Sequence, residues 1–389
     1  MKFEQDAHET LMVPGFVEFE DDVLYANANP AIAPVSPEFV AAFNSVLKNL
    51  RSIVYASDST QPIVVAGSGN MGWDMATLNV LEPGDKVLVL QTGHFSDLYD
   101  DSLQPYGIQT TKLLAPLGNR PSLDEIRTAL KKDSFRAISI TQVDTSSGVL
   151  NDVKAIASLV HEVSPSTLVF VDAVCSVASE ELRFDDWGID LILTAPQQGL
   201  ATPPGISIML VGPRALEAYQ GRKAPPATYF LSWDRWIPVM KSFESGPIKY
   251  FATPPTNLIL ALNKSLDNIL HGDVSLEERL QKNIQASHRV KEFVSKMGLK
   301  QLVDEDLQKA GGAANSLTTI RYPKGITAQD ILPKMAQRGI IIGAGIHQTC
   351  KDEYFRIGHI GSNVIDTQRD DIGKLLKNLE EVLKEAGYR

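Results

Sequence analysis

Gly67-Ser68-Gly69-Asn70 follows the apolar run Ile63-Val64-Val65-Ala66 and opens a helical pattern that begins Met71-Gly72-Trp73-Asp74-Met75. Glycines at a strand-to-helix turn let backbone N–H groups and the positive helix end face an anion such as a phosphate. The same residues could also form a tight turn and nothing more. Phe170-Val171-Asp172-Ala173-Val174 puts a carboxylate at the end of another apolar run. Such an acid could pair with a pyridinium nitrogen, or it could cap a neighbouring helix. Open α/β sheets bind ligands beyond the carboxyl ends of their strands, which favours the first use. A third polar stretch, Thr194-Ala195-Pro196-Gln197-Gln198-Gly199-Leu200, comes after Ile189-Asp190-Leu191-Ile192-Leu193 and shortly before Pro203-Pro204-Gly205. It offers carboxamides and no side chain able to act as a base near neutral pH.

These stretches need a scaffold, and the first two-thirds of the chain supplies one. Strands are expected at Ile63–Ala66, Lys86–Leu90, Ala137–Thr141, Leu168–Val171, Leu191–Leu193 and Ile206–Val211. Near-continuous apolar runs of this kind suit strands covered on both faces. Helical patterns at Ser122–Lys132, with Ser122 as a cap, and at Val153–Val163 alternate with them. The fold class is therefore α/β, a mainly parallel sheet between helices. The pattern then changes. Long helical stretches at Leu258–Leu270 and Leu276–Met297 lead into a smaller α+β segment. That segment holds Leu317–Ile320, a helix over Ala328–Arg338, Gly339–Gly343 and a terminal amphipathic helix near Thr367–Ala386. Two domains are expected: residues 1–257, an N-terminal segment with the large domain, and residues 258–389, a connecting helix with a small C-terminal domain. Pro225-Pro226 to Pro254-Pro255 reads as a long irregular excursion of the kind that often carries function.

Composition limits the partners. The 389 residues are 43% hydrophobic and 22% charged, with a net charge of −10, so neither nucleic acid nor an anionic membrane is expected. The two cysteines, Cys175 and Cys350, are far apart in sequence. That usage fits a reducing compartment and argues against a disulfide framework or a metal site. Met1-Lys2-Phe3-Glu4-Gln5-Asp6 lacks an apolar core for a signal peptide, and Glu385-Ala386-Gly387-Tyr388-Arg389 is not a peroxisomal tripeptide. The expected compartment is the cytoplasm.

Longer motifs point further. Ser36-Pro37-Glu38-Phe39, Val143-Asp144-Thr145-Ser146, Val171-Asp172-Ala173-Val174-Cys175, Tyr250-Phe251-Ala252-Thr253-Pro254-Pro255 and Phe355-Arg356-Ile357-Gly358-His359 together resemble the alanine–glyoxylate/serine–pyruvate aminotransferases. These are class V, fold type I enzymes that use pyridoxal phosphate, and the likeness is strongest to fungal-type members. It runs from about Pro14-Gly15 to the C-terminal helix. It implies that Ser68, Gly69, Asn70 and Gln197 hold the cofactor phosphate and that Phe95 stacks over the ring. Ser146 would lie near the ring hydroxyl, with Asp172 at the ring nitrogen and Val174 beneath the ring. Tyr250 and Thr253 would reach the phosphate from a partner subunit, making the protein a homodimer with shared sites. Arg356 would grip the carboxylate of a small-molecule substrate, a task suited to a guanidinium fork.

The departures from the family pattern cluster at this same site. Where the family carries Ser-Gln-Lys, whose lysine forms a Schiff base with the cofactor, this chain has Pro196-Gln197-Gln198. Gln142 stands where fungal relatives have histidine, Phe16 where a second proline is usual, and Ala33-Pro34 interrupts the usual approach to Ser36-Pro37. So many linked differences read as natural divergence. A carboxamide can neither form an imine nor carry the proton, and loss of a positioned base alone commonly costs about 10²–10⁴ in rate. The expectation is a lysine-less, aminotransferase-like enzyme acting on an amino or oxo acid by non-transaminase chemistry, with pyridoxal phosphate absent or noncovalently bound. Gln198, Asp172, Gln142 and Lys249 are the candidate catalytic residues. Lys249, next to Tyr250, is considered as a surrogate amine supplied in trans, against the plainer reading of a solvated surface lysine. The alternatives are a residual pyridoxal phosphate transaminase and a silent binding or regulatory paralogue.

Overall fold

A computed structural model describes residues 8–366 and 368–388. The segment Met1–Asp6, Thr367 at the start of the expected terminal helix, and Arg389 lie outside the described residues.

Seven strands form the main sheet: Gln61–Ala66, Lys86–Gln91, Gln109–Leu114, Ala137–Thr141, Leu168–Asp172, Leu191–Thr194 and Ile206–Val211. In spatial order they run first, seventh, sixth, fifth, fourth, second, third. Four of the six pairings are parallel, and only Ile206–Val211 runs against its neighbours. The sheet is mainly parallel, as the alternation predicts. The apolar runs form its interior: Ile138, Ile140, Val169, Phe170, Val171 and Leu193 are all fully buried. Gln109–Leu114 carries no such run. It is an edge strand paired only with Lys86–Gln91, and its Thr110, Thr111 and Lys112 suit an edge. Helices Leu123–Lys132 and Val153–Val163 begin where expected. Ser122 Oγ accepts the Glu125 N–H at 3.2 Å and Glu125 Oε2 accepts the Ser122 N–H at 2.8 Å, a reciprocal cap.

A second sheet joins Thr10–Met12, Ile340–Ala344, Tyr354–Gly358 and Leu317–Arg321, in that order. Met12, Ile342, Ile357 and the apolar face of helix Asp371–Glu385 share its core. Two features differ from the expected division at residue 257. Thr10–Met12 pairs in parallel with Ile340–Ile342, so this strand belongs to the small sheet. Helix Thr256–His271 packs Ile259, Leu262, Leu266 and Ile269 into the large core. Both are long-range pairings to which local pattern is blind. The excursion after Pro225 is also less irregular than expected. It contains the helix Trp233–Glu244, which buries Trp233, Trp236, Met240 and Phe243. Among the described residues, no helix is long and apolar enough to cross a membrane.

Candidate active site

Thr141 and Asp172 end adjacent parallel strands and lie opposite each other in register. A cleft of about 290 Å³ opens there. Ser68, Gly69 and Asn70 line it at the start of helix Met71–Val80; Phe95, Asp172, Val174, Gln197, Gln198 and Arg356 complete the set of predicted residues that it gathers.

The glycine turn sits against the cleft wall. A Cβ at Gly69 would stand 3.3 Å from both the Ala195 and Val174 side chains, so only a hydrogen fits without displacement. The carbonyls of Ser68, Gly69 and Asn70 accept from Met71, Gly72 and Trp73, while their own N–H groups have no acceptor among the described residues. Unused amide donors at the start of a ten-residue helix could receive an anion.

Asp172 is buried at the cleft floor. Its Oδ2 accepts from Trp73 Nε1 at 3.1 Å and its Oδ1 accepts from the Val174 N–H at 3.1 Å. Burial raises its pKa to about 6, outweighing those two hydrogen bonds, and the neighbouring Asp144 pushes the same way. Trp73 is a site residue that the sequence reading did not single out. Its signal was its spacing, one helical turn after Asn70, which returns it to the same face. Its indole also stacks on the buried Tyr99, with centroids 5.5 Å apart.

The Gln198 loop is tied down by its backbone. Pro196 O accepts from Thr202 N at 2.9 Å, Gln198 O from Ala201 N at 2.8 Å, and Gln197 O from Val17 N at 3.1 Å. The last bond draws Pro14-Gly15-Phe16 over the cleft as part of its lining. A Cβ at Gly15 would lie 2.7 Å from the Gln198 carboxamide, so glycine allows the two to pack. Gln198 itself is buried, and its Oε1 has no hydrogen-bond partner among the described residues. Arg356, on strand Tyr354–Gly358, donates from Nε to Ala344 O at 2.7 Å and from Nη1 to Thr145 O at 3.3 Å. Its pKa is lowered by burial. Among the described residues no carboxylate pairs with it, which leaves a positioned guanidinium for an incoming anion.

Other predicted residues lie elsewhere. Gln142 is not brought to this cleft: its Nε2 donates to Glu181 O at 2.9 Å and it lines a different cavity. Side chains alternate across an extended chain, so if Thr141 faces Asp172 its successor faces away. Ser146 lies behind the lining, its Oγ donating to Asp144 Oδ1 at 2.6 Å and accepting from His94 N at 2.8 Å. It thereby holds the turn that presents Phe95. Lys249, Tyr250 and Thr253 surround a separate apolar hollow with Pro34 and Val35. Lys249 is exposed, as is Tyr250, whose hydroxyl lies 2.7 Å from that of Thr253.

The residues present fit pyridoxal phosphate at three points. Ser68, Gly69 and Asn70 offer free amides for a phosphate, Asp172 offers a desolvated carboxylate for a ring nitrogen, and Phe95 and Val174 supply apolar surface for a ring. They do not supply an attachment point, because no lysine lines the cleft among the described residues.

The model of the aminotransferase class V family matches residues 19–360. Over 364 residues the chain is 36% identical to alanine–glyoxylate aminotransferase 1 of Saccharomyces cerevisiae, covering 91% of this chain and 92% of that protein. It is 30% identical to the L-aspartate–glyoxylate aminotransferase of Paracoccus denitrificans, over 90% of this chain and 86% of that one. The crystal structure of an alanine–glyoxylate aminotransferase from Nostoc sp. superposes with a TM-score of 0.85 at 25% identity, covering 98% of this chain and 97% of that one.

Proposed function

The chain belongs to the class V aminotransferases, with their fold type I architecture, and from that premise we propose that it is a lysine-less member with altered chemistry. It acts on a small carboxylate-bearing metabolite, an amino or oxo acid, by a reaction other than efficient transamination. Pyridoxal phosphate is absent or held without a covalent bond. The observation that carries this reading is the content of the cleft: Arg356 and Asp172 face it together with Gln198, and no lysine does among the described residues.

The residues divide the work. Arg356 binds and orients the carboxylate through a guanidinium whose intramolecular bonds go only to backbone carbonyls. Asp172, with its pKa near 6, exchanges a proton at Oδ1 or Oδ2 close to neutral pH. Gln198 offers an unpaired Oε1 to a donor on the substrate and cannot serve as a base. The loop at Pro14–Phe16 screens this group from water. Pyridoxal phosphate, when bound, would supply an electron sink. The free amides of Ser68–Asn70 favour a second reading, in which a preformed amino acid–cofactor adduct or pyridoxamine phosphate is the bound form. The working unit in either reading is a cytoplasmic homodimer, in which Lys249, Tyr250 and Thr253 approach the partner's phosphate site.

The test is covalent trapping. Purified protein is mixed with pyridoxal phosphate, reduced with borohydride and analysed by absorbance and peptide mass. The wild type should carry no covalently trapped cofactor, whereas Gln198→Lys should trap it stoichiometrically and gain alanine–glyoxylate transamination. Trapping in the wild type that disappears in Lys249→Met would sink the lysine-free reading.

A further inference from the structure

A second cleft, of about 510 Å³, shares no lining residue with the one that holds Asp172. Gln142 stands in its wall, 3% exposed. Its Nε2 is bonded to Glu181 O, but its Oε1 has no partner among the described residues. A buried carbonyl oxygen left unpaired is costly, and a donor that reaches it from the cleft removes that cost.

Arg120 lies on the same wall. Its Nη1 donates to Leu150 O at 2.5 Å, and among the described residues no carboxylate lies within ion-pair distance of it. Burial lowers its pKa, as expected of a guanidinium partly stripped of water, and the neighbouring Asp152 only partly offsets this. The backbone brings the two groups to one place. Arg120 holds the Leu150 carbonyl, and the next residue, Asn151, donates its N–H to Gln142 O at 2.8 Å. The four acids of this cleft are already engaged. Asp152 accepts from the Ala155 N–H, Glu180 accepts from Asn315 and Ser316, Glu181 pairs with Arg183, and Glu277 accepts from Tyr55. Tyr55 and Trp187 add aromatic surface.

We propose that this cleft is a second small-molecule site, for a carboxylate that also bears an N–H donor, as an amino acid does. The carboxylate sits on Arg120, the donor on Gln142 Oε1, and the carbon skeleton against Tyr55 and Trp187. The site is independent of whatever reaction takes place beside Arg356.

The test uses the full chain carrying Arg356→Gln, which weakens carboxylate binding in the first cleft. L-Glutamine is the probe and acetate the control without a donor, followed by calorimetry and by crystals soaked with the probe. L-Glutamine should bind saturably and more tightly than acetate, with density between Arg120 and Gln142. Adding Arg120→Gln, or separately Gln142→Leu, should weaken it about tenfold or more, the range for one charge-assisted or buried hydrogen bond. Unchanged circular dichroism and melting temperature separate this from misfolding, and Arg120→Lys is the substitute if Arg120→Gln is unstable. Absence of saturable binding, insensitivity to both substitutions, or density only beside Asp172 would overturn the proposal.

Discussion

Asp172→Asn reports directly on the electrostatics of the cleft floor. In the native chain the carboxyl titrates at about 6 against a reference of 3.8, chiefly because it is buried. At roughly 1.4 kcal/mol per pH unit, that displacement amounts to about 3 kcal/mol. The sign follows from proton counting. Between the two values the native state holds the proton more tightly than the unfolded chain, so the unfolding free energy falls as pH rises through this window. Below about pH 4 both states are protonated and the contribution is fully present; above about pH 6 it is lost. Asparagine does not titrate, but its single oxygen cannot accept from both Trp73 Nε1 and the Val174 N–H. One donor is left unpaired, at a cost of about 1–3 kcal/mol at every pH. Urea unfolding of both proteins without cofactor, at intervals from pH 4 to 8, separates the two effects. The wild type should be the more stable at pH 4, and its advantage should shrink by about 3 kcal/mol by pH 7. The buried Glu180, whose pKa is also raised, is common to both proteins and cancels in the difference. A difference that stays flat within about 1 kcal/mol from pH 4 to pH 7 would refute the assignment of a desolvated carboxyl at this position.

Two further substitutions test the geometry around it. Arg356→Gln removes the unpaired guanidinium, and calorimetric affinity for glyoxylate or L-alanine should fall about 10- to 100-fold, as for loss of a charge-assisted hydrogen bond; an unchanged affinity would place the carboxylate elsewhere. Gly93→Ala drives a methyl group to 2.4 Å from Ser146 Oγ and 2.5 Å from Asp144 Cγ. Both side chains are held in place by hydrogen bonds to the turn at His94–Ser96, so unfolding by urea should show a loss of about 2–4 kcal/mol; a loss under about 1 kcal/mol would mean the turn relaxes freely.

The parts of the fold that were legible in the sequence are those whose cause is local. Ile138, Val169 and Leu193 announce buried strands because each strand is covered on both faces. Ser122 announces a helix start because its partner, Glu125, is three residues away. Gln109–Leu114 was missed because an edge strand needs no apolar run, and Thr10–Met12 because its partner lies more than 300 residues away. The site obeyed the same rule at finer scale. Asp172 and the Gly67–Asn70 turn owe their places to strand ends and could be read from them. The family resemblance puts Gln142 with the Asp172 cleft, yet a single residue past the strand end reverses the direction of a side chain. That single step of parity separates Thr141, which lines the Asp172 cleft, from Gln142, which lines the other. The side chain of Gln142 thus belongs to the second cleft, where its unpaired Oε1 and the Arg120 guanidinium stand in one lining.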